Sequence, residues 1–302
     1  MGTVGGEYAL TPPSAASWSW RDYVTLTKPR IMSLLVLTAA CADVAAARGN
    51  PNLVGLLALI VGGGLACGSA SALNHVLDRD IDRVMGSRTQ SRPVAAGRVS
   101  PRAAVIFALV LAALSLAVMV TLDNMLAALL ALAGGAFYVV VYTLGLKRRT
   151  SENIVIGGAA GAIPALSGWA AASGHLGLGA WYLFVIVLVW TPPHFWALAV
   201  LLEDHYRAAK VPMLPVVKGV ATTARRVLAY TLLTVLVTVL PFFTGTFGLF
   251  YLVCAALLGG VFLTLAFRLW RAPTRERAAV TFHYSLLYLA LLFAGVAVGA
   301  AL

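Results

Sequence analysis

The chain has 302 residues, of which 61% are hydrophobic and 11% are charged, and its mean hydropathy is +0.90. Such a composition excludes an ordinary soluble enzyme and is typical of a polytopic membrane protein. The formal net charge of +11 does not point to nucleic acid as a partner, because the basic residues lie in short segments between apolar runs.

The first thirty residues lack an apolar stretch followed by a cleavage site, so they do not resemble a signal peptide. Trp18, Trp20 and Lys28 favour a short leader that lies at the cytoplasmic membrane interface. We therefore predict a leader over residues 1–30 and a single transmembrane domain over residues 31–302.

Apolar runs of about twenty residues, the length that crosses a bilayer, can be placed nine times. They lie near residues 31–47, 53–77, 103–122, 125–144, 154–172, 178–202, 227–244, 247–269 and 282–301. The sequence therefore predicts an all-α polytopic membrane protein with nine transmembrane helices.

The basic residues predict the orientation of these spans. Every lysine and arginine except Arg48 falls in the leader or in the segment that follows an even-numbered span. Because lysine and arginine mark the cytoplasmic side, the amino terminus is predicted to be cytoplasmic and the carboxyl terminus to lie outside.

The most charged segment, Leu73–Pro101, lies between the second and third spans. Asn74, Asp78 and Asp82 are spaced i, i+4 and i+8, which places an amide and two carboxylates on one helix face, whereas Asp80 points elsewhere. A carboxylate pair at a helix end suits Mg²⁺ bound together with substrate phosphates. The alternative is a solvated loop that only fixes the topology.

Basic side chains follow in two places. Arg88 and Arg92 come just after the carboxylates and have the chemistry to hold the rest of a diphosphate. Lys147 and Arg148 follow the fourth span, where phosphate binding and topological anchoring are both open interpretations.

A second acidic pair, Glu203 and Asp204, closes the sixth span. Two acidic clusters on one membrane face, with arginines nearby, predict a site for a metal-bound diphosphate. A diphosphate leaving group inside an apolar bundle implies a lipid-like allylic substrate. The alternative is a solvated helix end.

His194 lies within the sixth span, in the segment PPHFWAL. A histidine inside a membrane span is a candidate ligand, proton carrier or polar anchor. The alternative is a histidine bonded to a backbone carbonyl that Pro192 or Pro193 leaves free.

Several segments together carry a family resemblance. NHVLDRDID is similar to the first Asn-x-x-x-Asp-x-x-x-Asp motif of the UbiA superfamily of intramembrane prenyltransferases. LTKPR, SRPVAAGRVSP, LKRRTSENIVIGGAAGAIP, TPPHFWALA, VPMLPVVKG and YSLLYLALLF resemble the haem-modifying branch of that superfamily and cover the chain nearly from end to end.

The resemblance implies a helical bundle around a central cavity in the cell inner membrane. It further implies farnesyl diphosphate as donor, haem b as acceptor, Mg²⁺ as cofactor and a hydroxyethylfarnesyl haem as product. The protein partners that it implies are haem A synthase or the assembly of a terminal oxidase.

The resemblance also assigns roles to residues. Asn74, Asp78 and Asp82 are implied to form the first metal–diphosphate motif. Arg88 and Arg92 are implied to be its basic flank, and Lys147 and Arg148 to be a second phosphate-binding group. Asp204 matches the second motif, and His194 is implied to contact haem. The second motif usually has an acidic residue directly before its tyrosine, where this chain has His205; Glu203 is the candidate that replaces it.

Two other functions compete with this interpretation. One is a prenyltransferase of the same superfamily with another aromatic or a chlorin acceptor. The other is a transporter, since intramembrane histidine and loop carboxylates also suit ion pathways. Most acidic residues lie at helix ends and not at mid-membrane depth, which favours the enzyme.

Overall fold

The computed structural model describes residues 19–302, which form helices and connecting turns without any strand. The helices are α1 (Trp20–Thr27), α2 (Pro29–Ala46), α3 (Leu53–Leu77), α4 (Arg79–Val84), α5 (Ser87–Gln90), α6 (Pro101–Leu122), α7 (Met125–Leu146), α8 (Asn153–Ser173), α9 (Leu178–Leu201), α10 (Glu203–Ala208), α11 (Leu214–Lys218), α12 (Val220–Phe243), α13 (Leu249–Arg271) and α14 (Arg275–Ala301). Residues 1–18, and with them most of the predicted leader including Trp18, lie outside the described residues.

Nine of the helices in the described part of the chain are long and apolar enough to span a membrane, which confirms the predicted fold class. Two spans begin earlier than predicted: α12 at Val220 and α14 at Arg275. The first two turns of both helices carry arginines, which a hydropathy pattern excludes from a span. Long basic side chains reach the interface from such positions while the backbone stays helical.

Helix ends follow the usual capping chemistry. The side chain of Asn52 accepts from the backbone N–H groups of Val54 and Gly55 at 2.9 and 3.1 Å and so begins α3. Ser100 accepts from Ala103 N at 3.2 Å ahead of α6, whose first residue is Pro101. A capping oxygen followed by proline is a favoured start because proline lacks the N–H that would need a partner there.

α9 lies at the centre of the bundle and contacts α2, α8, α12 and α14. Close helix approach elsewhere depends on small residues: a Cβ added at Gly168 in α8 would lie 1.9 Å from the carbonyl oxygen of Ala39 in α2. Only glycine fits there, as is common where membrane helices pack. The segments after the even-numbered spans lie at one end of the bundle, which is called the polar end below. Ion pairs between these segments hold them together: Lys147 with Asp78, Arg226 with Glu152, and Arg275 with Asp204.

Candidate functional site

The first acidic motif is buried where α3 ends. Asn74, Asp78 and Asp82 are 2%, 0% and 1% exposed. Asp78 separates α3 from α4, yet Asp78 N bonds to Asn74 O at 2.9 Å and Asp82 N to Asp78 O at 2.8 Å. The i, i+4 register therefore continues through the junction and keeps the three side chains together, while the Asp80 side chain is 62% exposed.

Each buried carboxylate is paired with one cation. Lys147 Nζ lies 2.5 Å from Asp78 Oδ2, and Arg92 Nη1 lies 2.6 Å from Asp82 Oδ1. Burial raises the pKa of Asp82, and the hydrogen bond from Arg92 opposes that effect. Because both pairs are withdrawn from water, their geometry and remaining hydrogen bonds decide whether they are stable.

The second oxygen of each carboxylate is unsatisfied. Asp78 Oδ1 and Asp82 Oδ2 are buried and have no hydrogen-bond partner within the described residues. A buried acceptor without a partner is energetically costly. Two such carboxylate oxygens are the kind of ligand that Mg²⁺ prefers, so the residues present fit that ion.

Lys28 is a third cation at this site. From the sequence it is predicted only to be part of the leader, and not to contact Asn74. Its Nζ donates to Asn74 Oδ1 at 2.8 Å, and Asn74 Nδ2 in turn donates to Asp78 Oδ2 at 2.7 Å. Burial first, and then the charges of Arg92 and Lys147, lower the pKa of Lys28 to about 7. In the sequence, the signals for Lys28 were its place directly before the proline that begins α2 and the resemblance carried by LTKPR.

The backbone of Lys28 is also unusual. With φ 51° and ψ 58° it adopts the left-handed conformation and is the one residue between α1 and α2. For a residue with a Cβ this conformation costs roughly 1–2 kcal/mol, and such strain persists only where surrounding contacts hold it. The conformation turns the chain sharply and aims the ammonium group at Asn74.

The last part of α7, Tyr138–Leu146, is a π-helix. Its wider turn appears in the bonds from Thr143 Oγ1 to Tyr138 O at 3.0 Å and from Lys147 N to Tyr142 O at 2.8 Å. Asn74 Nδ2 also donates to Thr143 Oγ1 at 3.3 Å. The π-helix thus brings Thr143 to Asn74 and Lys147 to Asp78, in keeping with the frequent occurrence of π segments at functional sites.

Arg148 faces away from these carboxylates. Its guanidinium bonds to both oxygens of Asp80 at 2.7 Å and to Leu77 O at 2.8 Å. The hydrogen bond from Arg148 is the main reason that the pKa of Asp80 falls to about 2. The structure therefore separates Lys147, at the buried pair, from Arg148, at the exposed surface of the polar end.

The second acidic pair is arranged differently from the first. Asp204 Oδ2 accepts from Arg275 Nη2 at 2.6 Å, and Glu203 pairs with Arg207. The Asp204 side chain is 70% exposed, and the bond from Arg275 lowers its pKa. Among residues 19–302, no three histidine, cysteine, aspartate or glutamate side chains are grouped closely enough to hold a metal ion.

His205 links the two polar segments. A Cβ added at Gly86, where φ is 121°, would lie 2.9 Å from His205 Nδ1, so the imidazole packs directly on this glycine. α10 is therefore in contact with the turn that follows α4. The backbone of Arg88 belongs to α5, but its side chain lies outside what the structure describes.

His194 is buried inside the bundle. Its Nδ1 lies 2.7 Å from Ser285 Oγ, and its ring stacks with those of Trp190 and Phe282 at centroid distances of 4.4 and 4.9 Å. The partner of Nδ1 is thus a hydroxyl from α14 and not a backbone carbonyl that Pro192 or Pro193 leaves free.

These features define a polytopic membrane protein with a buried carboxylate and cation site at one end of its helical bundle. The UbiA prenyltransferase family model matches residues 35–296. The chain belongs to the UbiA prenyltransferase family.

Two relatives illustrate the sequence similarity. A protoheme IX farnesyltransferase of Thermus thermophilus is 52% identical over 294 residues, which are 97% of this chain and 48% of that protein. The protoheme IX farnesyltransferase of Gloeobacter violaceus is 51% identical over 273 residues, 90% of this chain and 89% of that protein. The chain thus spans about half the length of the Thermus relative.

Two solved structures share the fold. A digeranylgeranylglyceryl phosphate synthase superposes with a TM-score of 0.76 at 18% identity, covering 93% of this chain and 98% of that one. A UbiA homologue from Archaeoglobus fulgidus bound to GPP and Mg²⁺ superposes with a TM-score of 0.58 at 15% identity. The match covers 91% of this chain and 99% of that one.

Proposed function

We propose that the chain transfers the farnesyl group of farnesyl diphosphate to a vinyl group of haem b and releases diphosphate. The observation that carries this proposal is the buried pair Asp78 and Asp82, each with one oxygen bonded to a cation and one without a partner. The names of the two farnesyltransferase relatives support the donor and the acceptor.

Asp78 and Asp82 would hold Mg²⁺ through their unpartnered oxygens. When bound, the ion supplies positive charge that stabilises the diphosphate as it leaves. The Archaeoglobus homologue bound to GPP and Mg²⁺ supports a metal-dependent prenyl diphosphate site in this fold. Glu203 and Asp204 remain candidates for a second metal site, for which they would have to leave Arg207 and Arg275.

The basic residues bind the diphosphate. Lys28, Arg92 and Lys147 surround the buried carboxylates and present cationic donors there. We include Arg88 and Arg148 among the proposed diphosphate-binding residues. Arg148 would have to exchange its bonds to Asp80 for bonds to the diphosphate. Asn74 orients the group, since it accepts from Lys28 and donates to Asp78.

The reaction is a substitution followed by capture of water. The bond between farnesyl C1 and the diphosphate oxygen breaks, and its electron pair leaves with the diphosphate. The vinyl π electrons of haem form the new carbon–carbon bond, and water adds its hydroxyl to the other vinyl carbon and loses a proton. Apolar helix faces around the site keep water from the farnesyl cation before that step.

His194 is the proposed haem contact. It lies ten residues before Asp204, or about 15 Å along a helix at about 1.5 Å per residue, deeper in the bundle than the acidic residues. Trp190 and Phe282, which stack with its ring, add apolar and aromatic area near that depth. A flat acceptor reaching the imidazole would lie below the diphosphate.

The remaining proposals concern the protein in its cell. We propose a multi-pass protein of the inner (plasma) membrane, with a leader at residues 1–30, a single domain at 31–302 and the amino terminus in the cytoplasm. The concentration of basic residues at the polar end supports this orientation. Partnership with haem A synthase or with terminal oxidase assembly is a further proposal from the resemblance.

Purified protein in lipid nanodiscs, supplied with labelled farnesyl diphosphate and Mg²⁺, tests the function against its rivals. Haem b, a chlorin and a simple aromatic acid compete as acceptors in one reaction. Label that moves to haem, and only when Mg²⁺ is present, supports the proposal. Label on another acceptor overturns the haem assignment. In a parallel assay with the protein in sealed vesicles, movement of intact farnesyl diphosphate across the membrane without diphosphate release would indicate a transporter.

A further inference from the structure

Helix α1 is anchored to the rest of the bundle by polar contacts at both ends. Near its start, Asp22 Oδ1 accepts from Arg98 Nε at 2.9 Å, and the Asp22 side chain is only 11% exposed. Near its end, Leu26 is fully buried and its carbonyl accepts from Ser71 Oγ at 2.7 Å. α1 is therefore held in a definite position against α3 and the segment that contains Arg98.

Arg98 connects this helix to the arginine that binds Asp82. Its Nη2 donates to the carbonyl of Ser91 at 2.8 Å, and Ser91 directly precedes Arg92. Arg92 pairs with the buried Asp82. One guanidinium thus joins α1 and the backbone next to a cation of the proposed diphosphate site.

The same helix determines where Lys28 lies. Lys28 is the single residue between α1 and α2, so the position of α1 fixes the direction in which its side chain leaves the backbone. Its left-handed conformation is unfavourable and needs α1 to be held in place. Release of the first turn of α1 would let Lys28 relax and withdraw its Nζ from Asn74.

We propose that Asp22 and Arg98 form a positioning pair that holds Lys28 and Arg92 in place for the diphosphate. The pair acts from outside the site. Asp22 acts through α1, which ends directly before Lys28, and Arg98 acts through the carbonyl of Ser91, the residue directly before Arg92. The inference rests on the proposed function, because it assumes that the two cations bind a prenyl diphosphate.

The test compares Asp22→Asn, Arg98→Gln and the exchanged pair Asp22→Arg/Arg98→Asp with the wild type. Glu152→Gln is the matched control, because it breaks another ion pair at the polar end, the 2.6 Å contact with Arg226, that does not lead to Lys28 or Arg92. Affinity for farnesyl diphosphate is measured in nanodiscs with Mg²⁺ and without haem, and steady-state transfer to haem is measured separately.

We expect each single variant to weaken farnesyl diphosphate binding and raise its KM on the order of tenfold, equivalent to about 1.4 kcal/mol. kcat at saturating farnesyl diphosphate and the KM for haem should not change, and the exchanged pair should recover part of the affinity. Glu152→Gln should bind like the wild type.

A pair with only a structural role would give a different pattern. The folded fraction and kcat would fall together in the single variants while the farnesyl diphosphate affinity of the folded protein stayed at the wild-type value, which overturns the inference. Because the binding measurement contains no haem, wild-type protein that binds farnesyl diphosphate but does not modify haem overturns the proposed acceptor and not the positioning pair.

Discussion

Lys147 Nζ and Asp78 Oδ2 lie 2.5 Å apart, although 69 residues separate them in the chain. The contact joins the π-helical end of α7 to the end of α3. The Asp78 side chain is 1% exposed and that of Lys147 is 12% exposed, so the pair is largely withdrawn from water. Removing one member of such a buried pair destabilises the folded protein by about 3–5 kcal/mol, because the other charge is left buried without a partner.

We expect Asp78→Asn and Asp82→Asn to lower turnover by on the order of 10²–10³-fold, as the loss of a group that stabilises transition-state charge does. Each change removes an anionic metal ligand and keeps the side-chain shape. Asp80→Asn is the matched control and should keep most of the activity, because that side chain is exposed and bonded to Arg148. Turnover is measured at saturating Mg²⁺.

Asp78→Asn also destabilises the folded protein, because the substitution leaves Lys147 without its charged partner. The double variant Asp78→Asn/Lys147→Met removes both charges and should recover thermal stability without recovering activity. Wild-type turnover in Asp78→Asn or Asp82→Asn would show that the acidic segment only fixes the topology.

The role of Asp204 can be separated from its bond to Arg275. If Asp204 joins a metal site, Arg275→Gln frees the carboxylate and should raise the apparent Mg²⁺ affinity roughly two- to fivefold, the effect of an exposed ion pair. Asp204→Asn should lower that affinity. Titration of activity with Mg²⁺ measures the apparent Mg²⁺ affinity of both variants. If Arg275→Gln and Asp204→Asn change that affinity equally and in the same direction, Asp204 acts only in the ion pair.

The pKa of about 7 for Lys28 predicts a pH dependence of substrate binding. Above pH 7 the free protein loses the ammonium proton, so the affinity for farnesyl diphosphate should fall by up to about tenfold per pH unit. Lys28→Arg keeps its charge at these pH values and should show a smaller fall. Lys28→Gln should bind weakly with a flatter profile, whereas a wild-type slope in that variant would contradict the assignment.

His194→Ala should weaken haem binding and leave farnesyl diphosphate binding unchanged. Ser285→Ala is the paired variant, because it removes the 2.7 Å partner of Nδ1 and keeps the imidazole. We expect a smaller loss of haem affinity in Ser285→Ala than in His194→Ala. Absorbance titration with haem measures both, and an unchanged spectrum and affinity in His194→Ala would leave the histidine as a polar contact between α9 and α14.

Much of this architecture could be predicted from the sequence because membrane spans and their flanking charges follow simple rules. The nine spans depend only on apolar length, and the register of Asn74, Asp78 and Asp82 depends only on helical spacing. The early starts of α12 and α14 could not be predicted by the same rule, since the first two turns of each contain arginines.

The partners within the site were less predictable. Lys28 reaches Asn74 only because one left-handed residue turns α1 into α2, and the composition of the leader does not encode that turn. Lys147 and Arg148 are adjacent in sequence, yet the π-helix directs one to Asp78 and the other to Asp80. Such pairings depend on tertiary contacts between residues 46 to 69 positions apart in the chain.

The mass of the product shows whether the protein transfers a farnesyl group to haem. Protein in nanodiscs is incubated with farnesyl diphosphate, haem b and Mg²⁺, and the extracted porphyrins and the released diphosphate are quantified together. We predict a haem whose mass has increased by one farnesyl group and one hydroxyl group, with one diphosphate released for each product. Diphosphate release with farnesol and unmodified haem as the only organic products would show that haem is not the acceptor.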